Sequence, residues 1–212
     1  MYLNANEELL LTIYQQKNIQ DICFHYGFPM VVIETASLFH KRFFLSKSLL
    51  EYESMNVMLA SVFLSCKLNN IHVVLDSFLK PFPKIKHDQI LDLELLICKI
   101  VEFNFNYEFP YLIFYGMYLN LQRFVSDKIC LEEIYADGKA LILQSYLTDC
   151  ILLFKAADIA STAFCCACNK HGIPMQNRHT EVLAIFESKI VLDKQKLKEM
   201  DKKLYFCRKN KL

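Results

Sequence analysis

Between Val57 and Cys66 the chain runs Val-Met-Leu-Ala-Ser-Val-Phe-Leu-Ser-Cys without a charge, a glycine or a proline. Wound as a helix, this stretch puts apolar groups on every side. A surface helix shows a single apolar stripe, so the segment has to be surrounded by other helices. It falls well short of the ~18–20 apolar residues that cross a bilayer, which leaves a buried core helix. The segment then ends in Lys67, a cation at the edge of an otherwise saturated apolar surface.

Composition narrows the fold around that helix. The chain has 212 residues, 54% hydrophobic and 22% charged, too apolar for disorder and long enough for two small domains. Its four glycines, Gly27, Gly116, Gly138 and Gly172, are solitary, and there are five prolines. Sheet proteins need more turn residues, and phosphate-cradling loops need glycine clusters. The class is therefore all-α with short connections.

Charge is uneven. Residues 193–212 hold eight Lys/Arg against three Asp/Glu, while the rest hold sixteen against twenty. A mildly acidic body with a basic end does not describe a nucleic-acid-binding core; a solvated helix face or an acidic partner suits the end better. The nine cysteines form no Cys-x-x-Cys framework of the structural-zinc kind, since Cys165 and Cys168 stand at that spacing without a second such pair. Cys165, Cys166 and Cys168 lie in an apolar helical stretch three residues before His171, where packing as small hydrophobes outweighs metal binding. Unpaired cysteines and an N-terminus without a basic, signal-like start predict a reducing, intracellular setting.

Apolar periodicity predicts helices over 7–26, 30–45, 55–68, 72–80 and 86–103, then again over 110–126, 131–154, 156–171, 179–187 and 193–207. Lys41 and Arg42 fall on the side of the second helix away from its apolar residues. The fifth carries Ile90, Leu91, Leu93, Leu95, Leu96 and Ile97 as core, with Glu94 among them. Residues 104–110 read as a linker, giving domains 1–108 and 109–212. At an offset of 101, Phe164 falls on Phe63 and Ala163 on Val62. A period near one hundred residues means tandem domains and not a solenoid. The six histidines show no metal spacing and read as helix-surface or helix-end residues, and no constellation of side chains looks catalytic.

Two tandem five-helix repeats, each with a buried middle helix, resemble the cyclin family, and particular residues carry the likeness. Residues 34–48, Glu-Thr-Ala-Ser-Leu-Phe-His-Lys-Arg-Phe-Phe-Leu-Ser-Lys-Ser, look like the second helix of a cyclin box. Residues 58–67 look like its third, ending in the family's lysine. Leu91-Asp-Leu-Glu94-Leu-Leu with Phe103-Asn-Phe105 looks like its fifth, bearing the family's glutamate. Within the family the chain is most similar to the cyclin H branch, regulatory subunits of the CDK-activating kinase of transcription factor IIH. Lys41-Arg-Phe-Phe-Leu, Thr148-Asp-Cys-Ile-Leu-Leu-Phe154 and Ala157-Asp-Ile-Ala160 carry that finer likeness. Little chain lies outside the ten predicted helices, where cyclin H has further terminal helices. The motif by which cell-cycle cyclins recruit substrates is not visible.

The resemblance implies that Lys67 and Glu94 hold the C-helix of a cyclin-dependent kinase by its backbone, with Leu64, Leu68, Cys98, Phe103 and Phe105 as apolar walls. From the residues alone, Lys67 could equally serve the negative end of its own helix, worth about 0.3–1 kcal/mol, with Glu94 merely pairing to it. The function implied is a kinase regulator in transcription and the cell cycle, in the nucleus. It would have no catalytic residues, metal or cofactor, and its partners would be a kinase catalytic subunit, an assembly factor and the transcription factor IIH core. Membrane and direct nucleic-acid contacts are not expected. A cyclin C type of transcriptional cyclin and a DNA-binding cyclin fold like transcription factor IIB are the alternatives, the second needing a basic surface on both repeats.

Overall fold

The computed structural model describes residues 5–177 and 179–187; the helix predicted over 193–207 lies outside them. Every regular element among the described residues is a helix: α1 (Ala5–His25), α2 (Met30–Ser46), α3 (Ser54–Leu68), α4 (Leu75–Leu79), α5 (His87–Ile100), α6 (Pro110–Leu121), α7 (Lys128–Leu147), α8 (Cys150–Leu153), α9 (Ala156–Lys170) and α10 (Thr180–Glu187). None is long and apolar enough to cross a membrane. The described chain separates into two compact units between Asn106 and Tyr107.

In the first unit α3 is the centre, as its charge-free run requires. Every residue from Val57 to Cys66 is buried, and α1, α2 and α5 pack around the helix. α2 is covered more fully than its sequence predicts, because it packs on α1, α3 and α5 at once. Lys41, expected on an open side, is buried and Arg42 is half-buried. His40, expected at a surface, is fully enclosed. Its Nδ1 lies 3.0 Å from Nε2 of Gln16 on α1. Burial, reinforced by the Lys41 charge, holds the imidazole down at about 3, so it is neutral.

α4 is shorter than the predicted 72–80, because the chain leaves α3 through a left-handed residue, Asn70, and is still extended at Val74. Its Phe78 is fully buried. The Tyr26 hydroxyl donates to the Phe78 carbonyl at 2.8 Å, and the Phe78 ring stacks on Phe63 of α3 with centroids 6.3 Å apart.

In the second unit the helix predicted over 131–154 is two, α7 and α8. Thr148 is extended (φ −107°, ψ 178°); its hydroxyl donates to the Ser145 carbonyl and accepts from the Cys150 N–H, so the side chain takes over backbone groups that a continuous helix would pair. α6 and α7 meet where Gly138 lies flat against the Phe114 ring; a methyl group there would overlap it. α9, fifteen residues long like α3, packs on α6 and α7. Both imidazole nitrogens of His171, at its end, face α7 carboxylates: Nε2 is 2.7 Å from Asp137 and Nδ1 3.2 Å from Glu133. Lys170 also reaches Asp137 at 2.7 Å. The Lys170 hydrogen bond, with help from His171, holds the Asp137 carboxyl below its ordinary value.

Four helices end by one device, in which a left-handed residue turns the chain so that the N–H after it returns to a carbonyl five residues back. Gly27 does this for α1, Asn70 for α3, Glu102 for α5 and Gly172 for α9. The returning bonds are Phe28 to Cys23, Ile71 to Cys66, Phe103 to Cys98 and Ile173 to Cys168, at 2.8–3.0 Å.

Candidate protein-docking site

The closure of α3 after Leu68 leaves Lys67 in its last turn, and α5 runs alongside. The Lys67 ammonium bonds both carboxylate oxygens of Glu94, at 2.7 and 2.8 Å, and rests 4.4 Å from the centre of the Phe63 ring. That contact adds a cation–π attraction and ties the ammonium through Phe63 and Phe78 to Tyr26. The Lys67 side chain is 49% exposed and that of Glu94 14%. The pair therefore lies at the surface with the carboxylate sunk below the ammonium.

Its bonding capacity is not exhausted. An ammonium has three protons and Glu94 uses two; each carboxylate oxygen keeps a second acceptor position. The pair can donate to a carbonyl and accept from an N–H at one spot. The end groups of a helix present such donors and acceptors.

The apolar residues named from sequence fall into three situations. Leu64 and Cys98 are buried, and Leu68 is half-buried beside Lys67. Burial, then the nearby Glu94 carboxylate, push the Cys98 thiol up, so it behaves as a neutral apolar group. Phe105, named with them as an apolar wall, lies beyond α5, which ends at Ile100. The Phe105 ring is half-buried, edge-on to Phe39 of α2 at 6.1 Å. Phe103 stands out, 59% exposed, on backbone that is left-handed at both Glu102 and Phe103 (φ 55° each).

Sequence reasoning also put Leu91 and Leu95 in the core. They are 44% and 51% exposed, one turn apart on α5 beside Glu94, while Ile90 and Ile97 take the inner face. The four-residue spacing of Leu91 and Leu95 was visible, but in a helix this rich in leucine it does not say which side is inside. Among the described residues no group of histidine, cysteine and carboxylate side chains could hold a metal ion.

No protein-family model matches the chain. Cyclin-H of Xenopus laevis is 30% identical over 191 residues, 86% of this chain and 59% of the frog protein. Cyclin CCL1 of Saccharomyces cerevisiae is 29% identical over 74% of this chain and 40% of its own length. Cyclin mcs2 of Schizosaccharomyces pombe is 25% identical over 97% and 68%. The chain thus spans about half the length of the first two of these curated relatives. Among solved structures, a CAK complex of Chaetomium thermophilum bound to ATP-γ-S contains a chain matching 99% of this one, with TM-score 0.74, 20% identity and 68% of that chain covered. The cryo-EM structure of the yeast TFIIK complex of Kin28, Ccl1 and Tfb3 gives TM-score 0.69 and 25% identity over 96% of this chain and 86% of the other. The fold is accordingly two tandem cyclin-box repeats.

Proposed function

We propose that this chain, similar to cyclin H over most of its length, is the regulatory subunit of a cyclin-dependent kinase of the CDK-activating, transcription factor IIH type, working in the nucleus. The observation that carries the reading is the Lys67–Glu94 pair, bonded at the surface between α3 and α5 with spare donor and acceptor positions. Lys67 would donate to, and Glu94 accept from, the backbone of the kinase C-helix. Leu64, Leu68 and Cys98 would form the apolar floor beneath it, with Phe103 and Phe105 at the end of α5. An amphipathic helix laid into an apolar groove is a recurring mode of recognition.

Activation follows from the geometry of phosphoryl transfer. A protein kinase needs the glutamate of its C-helix paired with the lysine of strand β3, so that the ATP phosphates are held in line. A partner that binds the inward position of that helix more tightly than the outward one shifts the population toward the active arrangement. This chain then contributes binding free energy and no reacting group. The yeast relative's complex holds Kin28, Ccl1 and Tfb3, which supports a third, assembly subunit here too.

The test is co-expression of the full chain with each cyclin-dependent kinase of its own organism in turn. One kinase should co-purify with it and gain activity toward a kinase activation segment. Failure of every such kinase to bind overturns the reading.

A further inference from the structure

We infer that the outward face of α5 selects the partner kinase by charge, with Asp88 and Asp92 attracting a lysine- or arginine-bearing stretch of the docked helix. This rests on the docking role proposed for Lys67 and Glu94. At 100° per residue, Cys98, Leu91 and Leu95 follow Glu94 around the helix, and Asp88, Lys99 and Asp92 lie beyond them. Leu91 and Leu95 thus form an apolar strip directly continuous with the Lys67–Glu94 pair, and the two aspartates edge it over the first half of the helix.

Both aspartates are exposed, and among the described residues neither has a cationic side chain within ion-pair distance. Lys84 and Lys86 lie in the loop before the helix and Lys99 near its end. Among the described residues, the His87 Nε2 beside Asp88 lies 3.1 Å from an Asp76 carboxylate oxygen. An amphipathic helix that laid apolar residues on Leu91 and Leu95 would place its flank over two carboxylates that make no ion pair among the described residues. A basic flank would be drawn in, and an acidic flank repelled. The occupant this face fits is the kinase's own docking helix with basic residues on that side.

Rim charges act chiefly on the association rate and its salt dependence, whereas buried charged partners act on the dissociation rate. That separates this inference from the reading it rests on. Association and dissociation rates are measured between the full chain and the kinase selected by co-expression, over a range of sodium chloride concentrations. The D88N/D92N variant should associate about 3-fold more slowly at low salt and D88K/D92K about 10-fold or more, with dissociation unchanged. The salt dependence should flatten in the first and reverse in the second. D92K alone, beyond the first turn of α5, should show the same trend without removing a charge from the helix N-terminus. Unchanged association rates and salt dependence in all three variants overturn the inference while leaving the docking role intact. Unchanged dissociation in K67A and E94A instead overturns the docking role and this inference with it.

Discussion

The Lys67 ammonium and the Glu94 carboxylate, 27 residues apart in the chain, meet through two hydrogen bonds of 2.7 and 2.8 Å. As an isolated surface ion pair this would contribute at most about 1 kcal/mol to stability. In the proposed docking it would weigh more in binding than in folding, because a docked helix would remove both groups from water.

Lys67→Ala or Glu94→Ala should therefore leave the thermal midpoint within a few degrees of the parent yet weaken kinase binding by about 2–5 kcal/mol. The doubly substituted K67E/E94K chain separates docking from a purely structural pair. It restores the intramolecular attraction but exchanges the positions of donor and acceptor. Calorimetric titration should find the exchanged chain as weak as the single variants; full recovery would assign the pair to folding.

Gly138→Ala adds one methyl group where the Phe114 ring already lies. Overpacking a close helix crossing costs about 1–3 kcal/mol, more than the gain in helix propensity returns. Urea unfolding should show a lower midpoint. Phe114→Leu in the same chain should recover part of the loss by opening space opposite the new methyl group.

His40 makes the first unit sensitive to acid. Its imidazole is held at about 3 in the folded chain against an ordinary 6.5, so on acidification the unfolded chain takes up the proton first. The contribution is flat above 6.5 and falls as pH drops from 6.5 toward 3, by at most about 1.4 kcal/mol per pH unit. Denaturant titrations between pH 4 and 7 should show a shallower slope for His40→Leu than for the parent.

Asp137 contributes in the same direction at lower pH. Its carboxyl is depressed chiefly by the Lys170 hydrogen bond, so the stabilisation is complete above the ordinary carboxylate range and is lost as pH falls through the depressed folded value. Asp137→Asn should remove that loss and cost on the order of 1 kcal/mol at neutral pH. Hydrogen exchange should quicken near the α7–α9 contact.

The buried middle helix and the tandem arrangement were legible because each follows from residue type and spacing, whereas the pairing of Lys67 with Glu94 was implied by the likeness to the cyclin family. A charge-free run has one physical solution, and glycine at 27 and 172 marks a left-handed turn. Other features depend on what the rest of the chain does. α2 carries His40 and Lys41 inward because three helices pack on it, which no periodicity within 30–46 expresses. Leu91 and Leu95 face outward since Ile90 and Ile97 already fill the inner side of α5. The end of α5 escaped for a different reason. Its left-handed turn is made by Glu102 and Phe103, residues that disfavour that conformation, where a glycine would have announced it.

That turn has a consequence for the encounter with a partner. Each non-glycine residue in left-handed backbone raises the folded state by roughly 1–2 kcal/mol, and two in succession hold the Phe103 ring away from the core. In the proposed docking, the backbone that presents this aromatic group would already be set when a partner arrives, leaving less ordering for the moment of association. A turn at 102–103 relieved of that strain would steady the fold and, in the proposed docking, leave more of the ordering to be done at the encounter.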